Sequence, residues 1–479
     1  MLTSSVIEIL RVFDKSELKK FEDFIKSPYF NKKTVVVKLF KFIKKFSPEF
    51  KNESLKREII WKNLYPAKDF NYGVMKNLIH DLSKVTESFL QIQIFESDNF
   101  RKQFYLLENL NQRSNKKLFS SKFKILYEKI HSQKLFTPEN YEHLKDLNIL
   151  DYDFHFKNVS INKNDNLTYT IAEYEIYYSL IECFKNYNNI VVFRLRNNYK
   201  KEINVLEVFL DKLAIANIIE EVKKLSEFDY TILNTYYLMY LATQHSEEPD
   251  YYYSYKNFLI NNDKLFEDSE KRLLYNLLEN TLTLNEKIPN RNKEYFEIDK
   301  IRIKRKIILD KNKNISFNEF AAIVKTASDF KETEFLESFI NTYLKNVPLP
   351  IRKNAEIFSN AFLYYNKGEL DKALEIIVSH DMNSSEYRLN LRALNLKILY
   401  DKNDFLSSEY MIDSFRHYLS KDGVPEAYRN SYLNFCKFLS RLFKIRESKD
   451  KSEYSLLRHE VTENVTANKT WLLEKINEL

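Results

Sequence analysis

The sequence predicts an all-α chain, in which an N-terminal helical domain leads through further helices into a helical-repeat α-solenoid. Three observations carry that prediction. Only three of the 479 residues are glycine, at Gly73, Gly368 and Gly423, and nine are proline. Sheets joined by tight hairpins lean on glycine, whereas long helices with short connectors do not. Apolar residues recur at spacings of three and four through most of the chain, the period of a helix face. Near the C-terminus, similar residues return every 35 positions, as they do where helix pairs stack in an array.

Residues 1–95 read as the N-terminal helical domain. Val6, Ile9, Leu10 and Phe13 start one apolar stripe. Leu18, Phe21, Phe24 and Ile25 form a second behind a cap at Ser16, ended by Ser27 and Pro28. Val36, Leu39, Phe40, Ile43 and Phe46 keep helical spacing up to the stop at Pro48, with Lys38, Lys41 and Lys45 on the other face. Ser54 is expected to cap a short helix that buries Ile59, Ile60 and Leu64 and closes at Pro66. Asn71 is expected to cap a long one that buries Val74, Leu78, Leu82, Val85 and Phe89.

Residues 96–310 read as helix after helix, interrupted at Thr137-Pro138, at Asn162 to Asn166, at Glu248-Pro249 and at Pro289-Asn290. Thr137 is read as an N-cap with Pro138 at the first helical position. Tyr174, Ile176, Tyr177, Tyr178 and Ile181 make one helix apolar nearly all round, so it is expected to lie centrally. The most apolar stretch, Thr231 to Thr243, is too short to cross a bilayer and reads as a buried helix. Arg302, Lys304, Arg305 and Lys306 are interspersed with Ile301, Ile303, Ile307 and Ile308, so that segment reads as structure.

Residues 311–479 carry the repeats. At a spacing of 35, Phe330, Tyr365 and Tyr400 align, as do Phe335, Leu370 and Phe405, and the small residues Ser338, Ala373 and Ser408. Short polar turns separate the first two columns: Lys331 to Glu334, Asn366 to Glu369, and Asp401 to Asp404. Each unit is therefore expected to be a helix, a tight turn and a second helix. At these residues, over about 320–420, the chain resembles the tetratricopeptide repeat family. In the middle unit Ala361 and Tyr364 fall at the family's small residue and tyrosine, Gly368 in the turn, and Ala373 and Ile377 at the small and large apolar places of the second helix. Pro350 stands where the family closes the preceding unit. Ile357, Asn360 and Ser385 depart from the family's tryptophan, leucine and proline, Asp329 stands at a tyrosine position, and Leu396 replaces a small residue.

The resemblance implies a right-handed superhelix whose concave face holds a peptide or a partner helix. It implies groove-facing positions at Phe362, Tyr365 and Asn366, and at Ala393, Lys397 and Tyr400. Phe362 and Tyr365 have a second reading as residues that pack one repeat on the next, whereas Asn366 and Lys397 are expected to be exposed. A second resemblance, over residues 54–90, is to the helix pair of winged-helix DNA-binding domains. There Lys76, His80 and Lys84 form an i, i+4, i+8 stripe suited to phosphates, beside Lys38, Lys41 and Lys45. The β-wing and the base-reading arginines of that family are missing from the sequence.

Composition bounds the chemistry. Three scattered glycines exclude a P-loop, a dinucleotide fingerprint and a nucleophile elbow in their usual forms. With 44% apolar and 15% aromatic residues the chain can bury a large core, and the aromatic excess is read as compositional. The charge of +7, from 75 basic and 68 acidic side chains, is a small surplus on a heavily charged surface. Cys183 and Cys436 belong to no CxxC pair, so no disulfide is expected and a reducing compartment fits. Eight histidines include no HExxH. Asp151 and His155 share a helix face but read as an ordinary amphipathic turn. The N-terminus has no positive segment before its apolar residues, and no window spans a membrane. The expectation is a cytoplasmic, non-enzymatic scaffold for a protein or peptide partner, without cofactor or metal. The alternative is a nucleic-acid-associated regulator using the basic N-terminal helices.

Overall fold

A computed structural model describes residues 4–133, 135–157, 166–197, 199, 204–379, 385–420, 424, 426–448 and 452–479. Among these residues the secondary structure is helical: 24 α-helices, three short 3-10 turns, and a single β-type bridge between Phe136 and Phe266. No helix of the described residues is long and apolar enough to cross a membrane. The first seven helices are α1 (Ser5–Arg11), α2 (Lys15–Lys26), α3 (Thr34–Lys44), α4 (Arg57–Leu64), α5 (Tyr72–Ser97), α6 (Asn99–Gln112) and α7 (Lys116–His131). Next come α8 (Glu139–Lys157), α9 (Leu167–Asn197), α10 (Val205–Lys212), α11 (Ile215–Leu225), α12 (Glu227–Gln244), α13 (Pro249–Asn262), α14 (Asp268–Leu284) and α15 (Arg291–Lys304). The C-terminal set is α16 (Phe317–Asp329), α17 (Thr333–Tyr343), α18 (Leu349–Asn366), α19 (Leu370–Ser379), α20 (Ser385–Asp401), α21 (Phe405–Leu419), α22 (Glu426–Ser448), α23 (Ser452–Glu463) and α24 (Lys469–Asn477).

The chain divides into two compact units. One comprises Met1–Ser132 with His143–Ala172, the other Gln133–Glu142 with Glu173–Leu479, so the division passes through α8 and α9. In the first unit, α1 to α5 close over a phenylalanine cluster in which the ring of Phe21 lies 4.7 Å from Phe40 and 5.2 Å from Phe89. Further along, Phe100 stacks on His143 at 3.6 Å and Phe119 on Phe154 at 4.0 Å, which joins α6 and α7 to α8.

Local chemistry shifts several boundaries from those the sequence suggests. Asp14, not Ser16, caps α2, because its carboxylate accepts from Glu17 N–H while the Glu17 side chain accepts from Asp14 N–H in a capping box. Ser54 sits within a 3-10 turn, and α4 buries Ile60 and Trp61 while Ile59 is exposed. Asn71 does cap α5 by accepting from Val74 N–H, but Val74 faces out and Met75 faces in. Thr137 is not an acceptor cap: its backbone N–H and its hydroxyl both donate to the Asn140 carboxamide oxygen. Asn162 to Asp165 lie outside the described residues. Within α9 Tyr177 and Ile181 are buried, whereas Ile176 is exposed.

The second unit holds the buried helix predicted from Thr231 to Thr243, within α12. In and around it five tyrosines have almost no solvent exposure, and each hydroxyl donates inside the core: Tyr141 to Asp229, Tyr252 to Glu294, Tyr255 to the Leu274 carbonyl, Tyr275 to Asp263, and Tyr236 to Glu270. Aromatic abundance is thus more than composition here, since a buried hydroxyl without a partner would cost of order 1–3 kcal/mol. Arg302 and Arg305 are structural, as read: Arg305 pairs with Asp263, while Ile307 and Ile308 are buried.

The three expected helix pairs are present as α16/α17, α18/α19 and α20/α21, joined by one turn used three times. The first helix of each pair ends in a left-handed residue, Lys331 (φ 58°), Gly368 (φ 76°) and Asn403 (φ 59°). At each, two bonds reach back over the last turn: Lys331 and Glu332 N–H to the Ser328 and Ala327 carbonyls, Gly368 and Glu369 to Tyr365 and Tyr364, and Asn403 and Asp404 to Tyr400 and Leu399. This is the Schellman closure. The geometry corrects the sequence register. Counted between the left-handed residues 331, 368 and 403, equivalent positions are 37 residues apart between the first two units and 35 between the next two. Ser328 and not Phe330 therefore corresponds to Tyr365 and Tyr400. Leu336, fully buried, takes the place of Ala373 and Ser408, and Ser338 is exposed. The same closure recurs in the first unit between α6 and α7, at Ser114 (φ 55°) and Asn115.

Candidate functional site

The residues expected to face a groove are largely covered by the chain's own C-terminal helix. Phe362, Ala393 and Tyr400 are buried in the two cores that share α20. Lys397, expected to be exposed, is only 3% accessible. Its ammonium lies 3.5 Å from Asp329 and 5.1 and 5.7 Å from the rings of Tyr365 and Trp471. Burial pushes the Lys397 amine below its ordinary pKa. Burial alone would raise Asp329, but Lys325 and Lys397 beside it hold it lower. Asp329, which the corrected register places level with Asn366 and Asp401 and not at a tyrosine position, is therefore the counter-ion of a buried lysine.

Trp471, in the first turn of α24, seals this face. Its indole N–H donates to the Tyr365 hydroxyl at 3.0 Å, and that hydroxyl donates to Asp401 at 2.9 Å. Lys475 pairs with Asp401 at 3.0 Å, and Lys331 with Glu474. Asn366 is turned to the neighbouring pair, accepting from the Ser328 hydroxyl at 2.7 Å. A polar cavity of 380 Å³ remains beneath α24, between Lys397, Asp401 and Lys475.

Beside it an open groove runs over α16. Asn318, Ala322 and Thr326 stand at i, i+4 and i+8 on one face of that helix, and all three line both a 620 Å³ and a 340 Å³ cavity. The larger end is bounded by α14 and α15 and carries a buried charge cluster. There Arg302, 2% exposed, reaches Glu279 at 2.7 Å, Asp299 at 3.5 Å and Glu319, which also meets Arg272 at 2.7 Å. Burial and the Glu279 charge raise Asp299 well above the ordinary carboxylate range against the pull of Arg302, and burial raises Glu279. The smaller end is bounded by α20, α22 and the linker before α24. There the Tyr387 hydroxyl donates to the Asn318 carboxamide oxygen, and the Tyr432 hydroxyl to that of Asn390 at 2.7 Å.

Sequence reasoning missed this groove. The signal lay in asparagines at helix positions that face neither core, but in an asparagine-rich chain single carboxamides do not stand out.

In the first unit, Lys38, Lys41 and Lys45 in and just after α3, and Lys76, His80 and Lys84 of α5, are all solvent-exposed. Asp81, on the same helix, pairs with Lys33 at 2.6 Å. After α5 the chain enters α6 directly, with Asp98 both ending one helix and capping the next, so no strand stands where a wing would. Asp151 and His155 meet at 3.4 Å along α8, and no cluster of three metal-ligating side chains occurs among the described residues.

Fold and groove together define a protein that is helical throughout its described residues, with an open cleft of mixed polar and apolar lining in its larger unit. No family model matches the chain, and no curated protein or solved structure is significantly similar to it.

Proposed function

We propose that the chain is a non-enzymatic helical-repeat scaffold that holds a segment of a partner protein in the groove over α16. The observation that carries this reading is the continuous cleft, floored by a single helix face whose middle residue, Ala322, is small and exposed. Three helix pairs with one repeated turn support a tetratricopeptide-like array. The position of the partner differs from the one the family resemblance implies, because α24 covers Tyr365, Lys397 and Tyr400. The charge cluster at the far end is internally paired, which suits a structural wall. Two free thiols agree with a reducing, cytoplasmic setting. The basic side chains in and just after α3 and on α5 are exposed, but the helix that follows α5 is α6 and not the wing of a winged-helix domain.

Affinity capture with the tagged full-length chain from its native host tests the proposal. A stoichiometric protein partner is expected, and Ala322→Trp, which fills the groove from its floor, is expected to release it while leaving thermal stability unchanged. Capture of the same partner by the Ala322→Trp chain sinks the assignment of the groove.

A further inference from the structure

The 340 Å³ end of the groove is lined by carboxamides and tyrosines. Asn318 and Asn390, which line the cleft, each receive a tyrosine hydroxyl on the carboxamide oxygen, which fixes the side chain and leaves its NH2 group to donate elsewhere. A third carboxamide at the rim, Asn468, has a buried NH2 group with no partner. Among the described residues no carboxylate lines this end, and its one cation, Lys325, is neutralised by Asp329 at 2.5 Å. The pocket thus presents donors without net charge. Its walls are Tyr387, Tyr428, Tyr432 and Leu389, and its floor is Ala321 and Ala322, so there is apolar room among the donors.

Carboxamide donors without net charge fit a carbonyl oxygen better than an anion, and repeated carbonyls beside apolar side chains are what a peptide offers. The chain itself supplies an example next to the pocket, in the linker 464–468 between α23 and α24. The main chain of that linker is held on α22, where the Asn434 carboxamide donates to the Val465 carbonyl at 2.9 Å and Ala467 N–H donates to the Ser431 carbonyl at 3.0 Å. The Val465 side chain is exposed while its carbonyl is bound, so it is the backbone and not the side chain that α22 recognises. Ser431 and Ala467 both border the cavity.

We infer that this end of the groove is a subsite for peptide main chain. In it the Asn318 and Asn390 NH2 groups donate to carbonyl oxygens of a partner segment, and an apolar side chain of that segment enters among the three tyrosines. The inference rests on the groove being the partner site and adds the chemistry by which the partner is held.

The test uses the full-length chain and an array of short random peptides with acetylated and amidated ends, so that no terminal charge contributes. Asn318→Asp and Asn390→Asp are close to isosteric. Each keeps an oxygen for its tyrosine hydroxyl and replaces the NH2 donor with an acceptor, and unchanged circular dichroism and denaturation midpoints confirm the fold. Peptides with an apolar residue are expected to bind the wild type, and each variant is expected to weaken them roughly tenfold or more. Binding by both variants as tight as by the wild type overturns the subsite while the groove stands, provided Ala322→Trp still abolishes binding. Binding that appears only when the same peptides are offered with a free terminal carboxylate also overturns it, in favour of an anion. A wild type that retains no peptide overturns the subsite and the peptide reading of the groove together.

Discussion

Arg302 is 2% exposed and shared among Glu279, Asp299 and Glu319. Removing one partner of a buried ionic cluster is costly because the remaining charges stay buried, and Arg302→Met is expected to lose about 3–5 kcal/mol at neutral pH. Asp299→Asn should do the opposite. Its carboxyl is raised in the folded chain, chiefly by burial and then by Glu279, so the folded state holds that proton more tightly than the unfolded state. The associated stability is complete below the unfolded carboxylate value of about 4 and is lost as pH rises through the raised folded value. Urea denaturation of the wild type and Asp299→Asn from pH 5 to pH 8 measures this. The variant should lose less stability on going up in pH, and parallel losses in both chains would refute the assignment.

At the scale of elements, one αα-turn accounts for the repeats and for a boundary in the first unit. Gly368 has φ 76°, and a Cβ there would meet nothing within 4 Å, so the cost of a side chain is backbone strain alone. Gly368→Ala is expected to cost about 1 kcal/mol. Ser114, exposed at the equivalent place between α6 and α7 with φ 55°, should gain up to about 1 kcal/mol on change to Gly. Opposite shifts in thermal midpoint are the expected result, and shifts of the same sign would contradict the shared turn. These turns also show what is legible in the sequence. Gly368 and Asn403 are residue types that tolerate a left-handed backbone, whereas Lys331 and Ser114 disguise it, and so a uniform 35-residue spacing misplaces the first repeat. Phe330 and Phe335 reinforce the slip: both pack on Phe296 of α15, at 5.4 and 5.2 Å, a different environment from that of Tyr365 and Tyr400. Helix existence and apolar faces are readable from periodicity. The burial of Lys397 is not, because it depends on Trp471, 74 residues further along the chain, and no local pattern encodes that contact.

At the scale of the whole molecule, the two compact units have separate apolar cores, and each contains one of the chain's two tryptophans. Trp61, 4% exposed in α4, donates its indole N–H to the Lys68 carbonyl at 2.9 Å in the first unit. Trp471, 7% exposed, reports the second. Units with their own cores can open at different free energies, although the helices that pass through the division favour some cooperation between them. Trp61→Phe leaves Trp471 as the one tryptophan, and Trp471→Phe leaves Trp61, so that emission excited selectively at tryptophan reports one unit at a time. Urea titrations of these two chains, followed by fluorescence, are expected to give distinct midpoints. The steeper dependence on urea should belong to the second unit, which has roughly twice as many residues and exposes correspondingly more surface on unfolding. To separate the effect of each substitution from that of the unit it reports, both chains are also followed by circular dichroism, where two transitions should appear in each. A single transition, superimposable by fluorescence and circular dichroism in both chains, would mean that the continuous helices α8 and α9 bind the two cores into one cooperative body.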